Sequence, residues 1–410
     1  MKILVVSNFY PPYHIGGYEL GCFNVVQQLK KRGHHIKVLT STYGVSGQVF
    51  QDEVLRRLHL RPPFEMSKIG KLFKLFCMEK NNQSVFSRLC GEFDPDIVYF
   101  WNMGNISISL ISVAQRMKKA ICYYVFDDWL ANWQQNPWNT FWANTENNFM
   151  VALAKILLCP IARLLSLETS VKSPDLRYVQ FASNYLKRNA ITHKMGAEGA
   201  EVIYWGIDQE KFSYNAIKRV PRRILYVGQI VRHKGLHTLI EAFGVLLREN
   251  PSDAIHLQVV GGSTQPEYER QMRQMVIDLN LSQRVSFLGP VAQEELPGIY
   301  HQNDILVFPS IWEEPFGITL LEAMSCGLGI VSTQTGGIPE ILTDEINALC
   351  FSKENARDCV RQISRLLHDQ ELFENIRLNA RQTVEKKLNL KQAIENIENS
   401  LLKTAKGSQQ

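Results

Sequence analysis

Short, unbroken apolar runs recur along this chain, each followed by an amphipathic stretch, and this alternation limits the fold more than any other feature. The opening KILVVSN reads as a strand buried on both faces. GGYELGCFNVVQQLKKRG then shows helical periodicity with Gly33 placed to stop it, and HIKVLTS follows as a second strand. DIVYFW (96–101), AICYYVF (120–126), RYVQFAS (177–183) and EVIYWGI (201–207) continue the series. Strands separated by helices imply a doubly wound parallel sheet. A second series begins after Pro221, with RILYVGQ (223–229), HLQVVGG (256–262), RVSFLG (284–289), DILVFPS (304–310), GIVST (329–333) and ALCF (348–351). Apolar periodicity lapses over QEKFSYNAIKRVP, which places a junction near 209–221.

The expected fold is therefore α/β, with two facing Rossmann-like doubly wound parallel-sheet domains and an interdomain cleft at the carboxyl edges of their sheets, where open α/β sheets bind ligands. The first domain is expected over 1–210 and the second over 215–384. The last helical stretch, from about 368, is long enough for its end at about 385–405 to pack back on the first domain. At 410 residues the chain suits two cores better than one.

Two segments, 52–80 and 129–168, escape the sheet pattern. In KIGKLFKLF the lysines recur at three-residue intervals, as on an amphipathic helix whose face lies on a membrane, grips an apolar acceptor or simply covers the domain. FMVALAKILLCPIARLL (149–165) is interrupted by Lys155, Pro160 and Arg163 and falls short of the ~18 uncharged residues that span a bilayer. The net charge of +5 is carried by the first half, where residues 1–210 hold 23 Lys and Arg against 17 Asp and Glu. That excess favours anionic surfaces, phospholipid or a phosphorylated acceptor. No run interleaves basic and aromatic residues as a nucleic-acid groove does, so nucleic acid is not an expected partner. Eight cysteines without a C-x-x-C pair read as reduced thiols, and MKILVVSNFY is too short and unbroken for a secretory signal. The expected location is cytoplasmic, with a peripheral contact on the inner face of the membrane.

Four constellations carry chemistry. In PSIWEEPFGITLLEAMSCGLGIVSTQTGGIPEIL (309–342) a buried strand runs into a loop and then a helix from about Phe316 to Gly327. Unpaired amides of Gly317, Ile318 and Thr319 at the helix start suit a diphosphate, and Glu314 and Glu322 beside them suit sugar or ribose hydroxyls without a metal. In YVGQIVRHKGLHTLIEAF (226–243) a strand ends at Gly228, and a short loop presents Arg232 and Lys234 to charge growing on a leaving diphosphate. NFYPPYHIGGYEL (8–20) places Gly16 and Gly17 at a helix start after the first strand, with His14 and Glu19 as nearby polar groups. YYVFDDWLANW (123–133) ends a strand in Asp127 and Asp128, and the faces of Trp129, Trp133, Trp138 and Trp142 suit an acceptor pocket. Asp94-Pro95-Asp96 looks like a D-x-D metal site but precedes a strand and fits a turn.

The 309–342 stretch resembles the signature of the retaining glycosyltransferases of family 4, which have the GT-B fold, and the likeness extends along essentially the whole chain. The resemblance implies that Glu314 binds hydroxyls of the donor sugar and Glu322 the ribose, with backbone contacts from Phe316, Gly317, Ile318 and Thr319. It implies a phosphate-binding role for Lys234 and a donor-side glycine loop at Gly16 and Gly17. The family's arginine position is Gln229 here, so the positive partner would be Arg232. The family's histidine position is Asp127, which would instead bind a hydroxyl or accept the acceptor's proton. VIYWGID (202–208) is similar to the family's V-I-P-N-G-I-D, with Tyr204 and Trp205 in place of proline and asparagine. Acceptor contacts are expected from His14, Asp128, Trp129 and Trp133. The implied reaction is transfer from a UDP-, GDP- or ADP-sugar to a hydroxyl of a glycan, lipid or small molecule, with retention and with neither metal nor cofactor. A nucleotide-sugar epimerase or hydrolase and a non-catalytic nucleotide-sugar or glycan-binding subunit stay open as other readings. The sequence does not give the oligomeric state.

Overall fold

The computed structural model describes residues 1–13, 16–45, 53–61, 68–143, 149–169, 174–193, 195–215, 220–251 and 253–407. They fall into two compact units, Met1–Ile203 with Ile394–Gln410, and Tyr204–Ala393. The first unit contains β1 (Lys2–Val6), β2 (His35–Ser41), β3 (Val54–Leu58), β4 (Ile97–Phe100), β5 (Ala120–Val125), β6 (Val179–Phe181) and β7 (Glu201–Val202). Among the described residues they form one sheet in the order β3-β2-β1-β4-β5-β6-β7. The second unit contains β8 (Arg223–Val227), β9 (His256–Val260), β10 (Val285–Gly289), β11 (Ile305–Phe308), β12 (Gly329–Thr333) and β13 (Leu349–Phe351), ordered β10-β9-β8-β11-β12-β13. The pairings within both sheets are parallel. Each unit is thus a Rossmann-like doubly wound α/β sheet.

The strand sequences explain this packing. β4, β5, β11 and β12 are buried along their whole length, as strands covered by helices on both faces must be. In the second unit Ile224, Leu257, Val259, Ile305 and Val331 join Leu239 and Phe243 of the helix Leu236–Glu249 and Ile363 of the helix Ala356–His368 in one apolar core. Because the strands are parallel, their carboxyl ends share one edge of each sheet. Strand order reverses between β1 and β4 and between β8 and β11, so each sheet opens a crevice at that edge.

Three features differ from the sequence reading. β3 lies inside the 52–80 segment that read as outside the sheet. Its VLRRL pairs with β2 at the sheet margin and is largely half-exposed, so it needs no continuous apolar run. The final helical stretch, expected as one from about 368, is two helices, Gln370–Lys387 and Leu390–Gly407, and Asp369 separates the first of these from Ala356–His368 and caps it by accepting from the Leu372 amide at 2.9 Å. The first unit ends at Ile203 rather than near 210. Ile207 exchanges backbone hydrogen bonds with Leu388 (2.9 Å) and Leu390 (3.2 Å), and a Cβ on Gly206 would lie 2.3 Å from the Asn389 backbone. From Ile394 the last helix belongs to the first unit, where Glu398 accepts from Arg32 (2.6 Å) and pairs with His34 (2.8 Å), and Lys403 pairs with Glu201 (3.1 Å).

The 129–168 segment holds a short turn of 3₁₀ helix at Trp133–Gln135 and the helices Pro137–Ala143 and Phe149–Leu164. Among the described residues, no helix is long and apolar enough to cross a membrane. Asp96 accepts from the Lys2 amide (2.7 Å) and Asp94 pairs with Lys119 (2.5 Å), as in a turn leading into β4. Among the described residues, no cluster of three metal-ligand side chains occurs.

Candidate active site

In the second unit the loops after β8 and β11 lie at the point where strand order reverses, and they are laced together. Gly235 has φ +72°, and a Cβ there would sit 1.9 Å from the Pro309 carbonyl oxygen, so only glycine allows this approach. The His233 carbonyl accepts from the amides of Ile311 (3.0 Å) and Trp312 (3.1 Å) and from Ser310 Oγ (3.3 Å). This lacing sets Lys234 against Glu314, with Nζ 2.7 Å from Oε1 and 3.0 Å from Oε2. Glu314 is buried, whereas the Lys234 side chain keeps a quarter of its surface exposed. An ammonium has three donors, so Lys234 can hold Glu314 and still reach a phosphate oxygen.

Ser310, which the sequence reading passed over, donates to Glu314 Oε1 at 2.5 Å, while its own carbonyl accepts from Thr333 Oγ1 at 2.6 Å. The Thr335–Gly337 turn closes over the same loop. Gly337 donates to the Glu314 carbonyl and Gly336 to Glu313 Oε2, both at 2.7 Å, and a Cβ on Gly336 would meet the Glu314 backbone at 2.3 Å. The GGIPE part of the motif thus fixes the Glu313–Glu314 backbone.

The helix following this loop runs Ile318–Cys326, with Gly317 as its left-handed N-cap at φ +95° and Gly327 as its left-handed C-cap at φ +85°. It starts two residues later than Phe316, since Phe316 is buried and stacks on Tyr204 with ring centroids 6.0 Å apart. Tyr204 therefore braces the loop before this helix in the place where the family pattern has proline. Gly317, Ile318 and Thr319 are partly exposed, and the first-turn amides of such a helix have no intrahelical acceptor. Glu322 lies on the buried side of the same helix, where Tyr300 donates to its Oε2 at 2.7 Å. Burial pushes the Glu322 carboxyl up to about 7, against the lowering effects of Tyr300 and Lys211. Tyr300 is a second residue the sequence reading did not single out, because its partner lies 22 positions away on another helix.

Gly228 directly follows β8, and its amide donates to the Val260 carbonyl (3.0 Å). Arg232 is exposed, and its amide donates to Gln265 Oε1 (3.2 Å). Its charge acts on His237, helping burial to lower that imidazole's pKa, and on the Tyr268 hydroxyl. Of the two loop cations, Lys234 meets Glu314, whereas Arg232 lies beside His237 and Tyr268.

In the first unit, the loops after β1, β4 and β5 form a second group. Gly16 caps the helix Gly17–Lys31, and its amide donates to Glu19 Oε2 (2.9 Å). Glu19 is buried and also accepts from Asn102 Nδ2 (3.1 Å). Asn102 Oδ1 accepts from the Gly104 amide (2.9 Å), and Asn8 Nδ2 donates to the Gly104 carbonyl (2.8 Å). Asn8 and Asn102 thus stitch together the two strand ends at which the order reverses, and neither stood out in the sequence.

Asp127 Oδ1 accepts from the Trp129 amide (3.0 Å), yet burial, with Asp128 and Glu19 adding like charge, pushes its carboxyl up to about 7. Asp128 accepts from Asn189 Nδ2 (2.7 Å). Trp129 and Trp133 are partly exposed, and the Trp129 indole reaches the Tyr18 hydroxyl at 3.4 Å. Trp138 is fully buried and donates to the Glu168 carbonyl (2.8 Å), so it is a core residue and not part of a pocket wall. His14 lies outside the described residues.

Comparison with known proteins bears on both units. Residues 208–383 match the family model described as glycosyl transferases group 1. An uncharacterized glycosyltransferase of Methanocaldococcus jannaschii is 22% identical over 402 residues, covering 94% of each chain. Mannosylfructose-phosphate synthase of Agrobacterium fabrum is 40% identical over 139 residues, 32% of this chain and 30% of that protein. Among solved structures, HepE of Anabaena in complex with UDP and glucose covers 98% of this chain and 99% of its own with a TM-score of 0.69 at 19% identity. At that identity the likeness speaks to the fold, which is the pair of Rossmann-like units of GT-B proteins.

Proposed function

We propose that this chain, whose residues 208–383 match the family model of glycosyl transferases group 1, moves a sugar from a nucleoside diphosphate sugar to a hydroxyl of a glycan, lipid or small molecule, with retention of anomeric configuration. One observation carries the reading: Lys234 and Glu314 meet at 2.7 Å beside the open amide end of the helix Ile318–Cys326, at the strand-order reversal of the second sheet. In this reading Glu314 holds hydroxyls of the donor sugar, and Lys234 with the amides of Gly317, Ile318 and Thr319 holds the diphosphate. As the bond to the anomeric carbon breaks, negative charge grows on the diphosphate oxygen, and preoriented positive groups lower the barrier at that moment. Arg232 adds a nearby positive charge. Glu322 accepts from the ribose, exchanging its bond with Tyr300 for one with the nucleoside. The same cationic groups make a divalent metal dispensable, so chelation is expected to leave the rate unchanged.

In this reading Asp127 of the first unit takes the acceptor's proton, a role supported by its carboxyl, which burial pushes up to about 7. Asp128, Trp129 and Trp133 line the acceptor side, and Gly16 and Gly17 contribute to the donor side. The reading includes a peripheral contact between the first unit and an anionic membrane, on the cytoplasmic side. Melting temperature measured with UDP, GDP and ADP tests the donor assignment, since a true donor nucleotide binds the folded state and raises it. A rise with one base is expected in the wild type and a smaller one in Glu322→Ala. No rise with any nucleoside diphosphate would refute the donor site. Consumption of the donor without acceptor would point to an epimerase or hydrolase, and binding without turnover to a non-catalytic subunit.

A further inference from the structure

The helix Phe149–Leu164 exposes the wrong side chains for a surface helix. Leu153, Ile156, Leu157, Ile161 and Leu164 are 41, 69, 62, 45 and 85% exposed. At 3.6 residues per turn these positions fall on one arc of about 140°, with Pro160 inside it. The opposite side is where the helix is held. Ala162 is fully buried and packs with Leu75, Met78, Trp138 and Leu167. The orientation is therefore set by packing, and the apolar arc faces outward as a built surface.

Charge around this arc is mainly basic among the described residues. The helix carries Lys155 and Arg163 and no acidic residue, and Arg163 is exposed at the border of the arc. The helix Lys68–Phe93, held in the same apolar cluster, exposes Phe73 (71%) with Lys74 and Lys80, while its Glu79 is buried among Ser109 and Gln83. Arg116 lies close by, where it donates to the Ser166 carbonyl and pairs with Glu168, both at 3.4 Å. An outward apolar face with a basic border matches a leaflet whose acyl region accepts leucine and isoleucine and whose headgroups are anionic. A second copy of this chain would bring the same positive border against itself.

We propose that the arc Leu153-Ile156-Leu157-Ile161-Leu164 docks the first unit on an anionic phospholipid surface, with the helix lying in the plane of the interface. This gives a definite place to the peripheral membrane contact and rests on that part of the functional reading. It is independent of the assignment of the transfer chemistry. Of the KIGKLFKLF stretch (68–76) only the side chains from Phe73 on are described, and Phe73 is the large apolar one they expose, whereas the later helix exposes Leu153, Ile156, Leu157, Ile161 and Leu164.

The test is co-sedimentation of the full chain with vesicles of phosphatidylglycerol and phosphatidylcholine, and with vesicles of phosphatidylcholine alone. Wild type is expected to bind the anionic vesicles more strongly. Ile156→Asp with Leu164→Asp is expected to weaken that binding at least about tenfold, since each substitution replaces an inserted apolar side chain by a charge. Both sites face solvent, so the circular dichroism and melting temperature are expected to match the wild type. Arg163→Glu with Lys74→Glu, which leaves the apolar arc intact, is expected to reduce the preference for anionic over zwitterionic vesicles. Equal binding by wild type and the aspartate variant would overturn the proposal. So would a wild type that ignores both vesicles, and light scattering showing a dimer that the aspartate variant dissolves would then assign the face to a second copy. Because the readout is vesicle binding, these outcomes are separate from any loss of transfer activity.

Discussion

Replacing Glu322 by Gln offers a quantitative check on the environment of the helix Ile318–Cys326. The carboxyl is buried, and its titration is raised from 4.5 to about 7 chiefly by burial. That rise corresponds to about 3 kcal/mol of free energy at 1.36 kcal/mol for each tenfold change. The folded protein binds this proton more tightly than the unfolded chain. The contribution to stability is therefore fully present below about pH 4.5, falls as pH rises, and is gone above about pH 7. Glutamine keeps the shape and can still accept from the Tyr300 hydroxyl, but it cannot ionise. The expected result in urea titrations followed by a probe in the second unit is a variant close to wild type at about pH 5 and more stable by about 2 to 3 kcal/mol at about pH 8. The same variant is expected to bind the donor nucleotide less tightly, because an amide oxygen is a weaker partner than a carboxylate for ribose hydroxyls. A stability difference that does not change between the two pH values would refute the argument from burial.

Two further substitutions probe how the site is held. Ser310→Ala removes the hydroxyl that donates to Glu314 Oε1 at 2.5 Å, and a hydrogen bond to a charged group contributes about 1.5–3 kcal/mol. The expected effect is a fall in kcat/KM of about tenfold or more with nucleoside diphosphate affinity nearly unchanged, and equal losses in both would count against a role for Ser310 in orienting Glu314. Gly235→Ala forces a left-handed alanine and a Cβ 1.9 Å from the Pro309 carbonyl oxygen, so a destabilisation of at least about 2 kcal/mol is expected by chemical denaturation; a neutral change would mean that the β8 and β11 loops are not in this register.

Much of this architecture was legible because burial on both faces leaves a plain mark. Runs such as ILVF at β11 have no polar alternative, and the described strands other than β3 fall within stretches that read as strands. β3 was invisible for the converse reason, since a margin strand with two arginines follows neither an apolar run nor a strict alternation. The breaks at Asp369 and Leu388–Asn389 depend on a cap and on long-range backbone bonds to Ile207, which periodicity does not encode. In the site, Lys234, Glu314 and Gly317 could be read because backbone geometry and charge require those residue types close together in the chain. Ser310, Tyr300, Asn8 and Asn102 were missed because serine, tyrosine and asparagine are common, and their roles follow from partners that the fold brings together. Trp138 misled in the opposite way: its aromatic surface suited a pocket, and packing used it for the core.

The central claim is that Lys234 stabilises charge on the departing diphosphate while Glu314 holds the sugar. The most direct measurement is the single-turnover rate of Lys234→Ala with its cognate donor and acceptor, taken together with its nucleoside diphosphate affinity and its circular dichroism. An intact fold, measurable nucleotide binding and a transfer rate reduced by about a hundredfold to a thousandfold are expected, the range seen when a preoriented charge-stabilising group is removed. Transfer at close to the wild-type rate by this folded variant would contradict the claim.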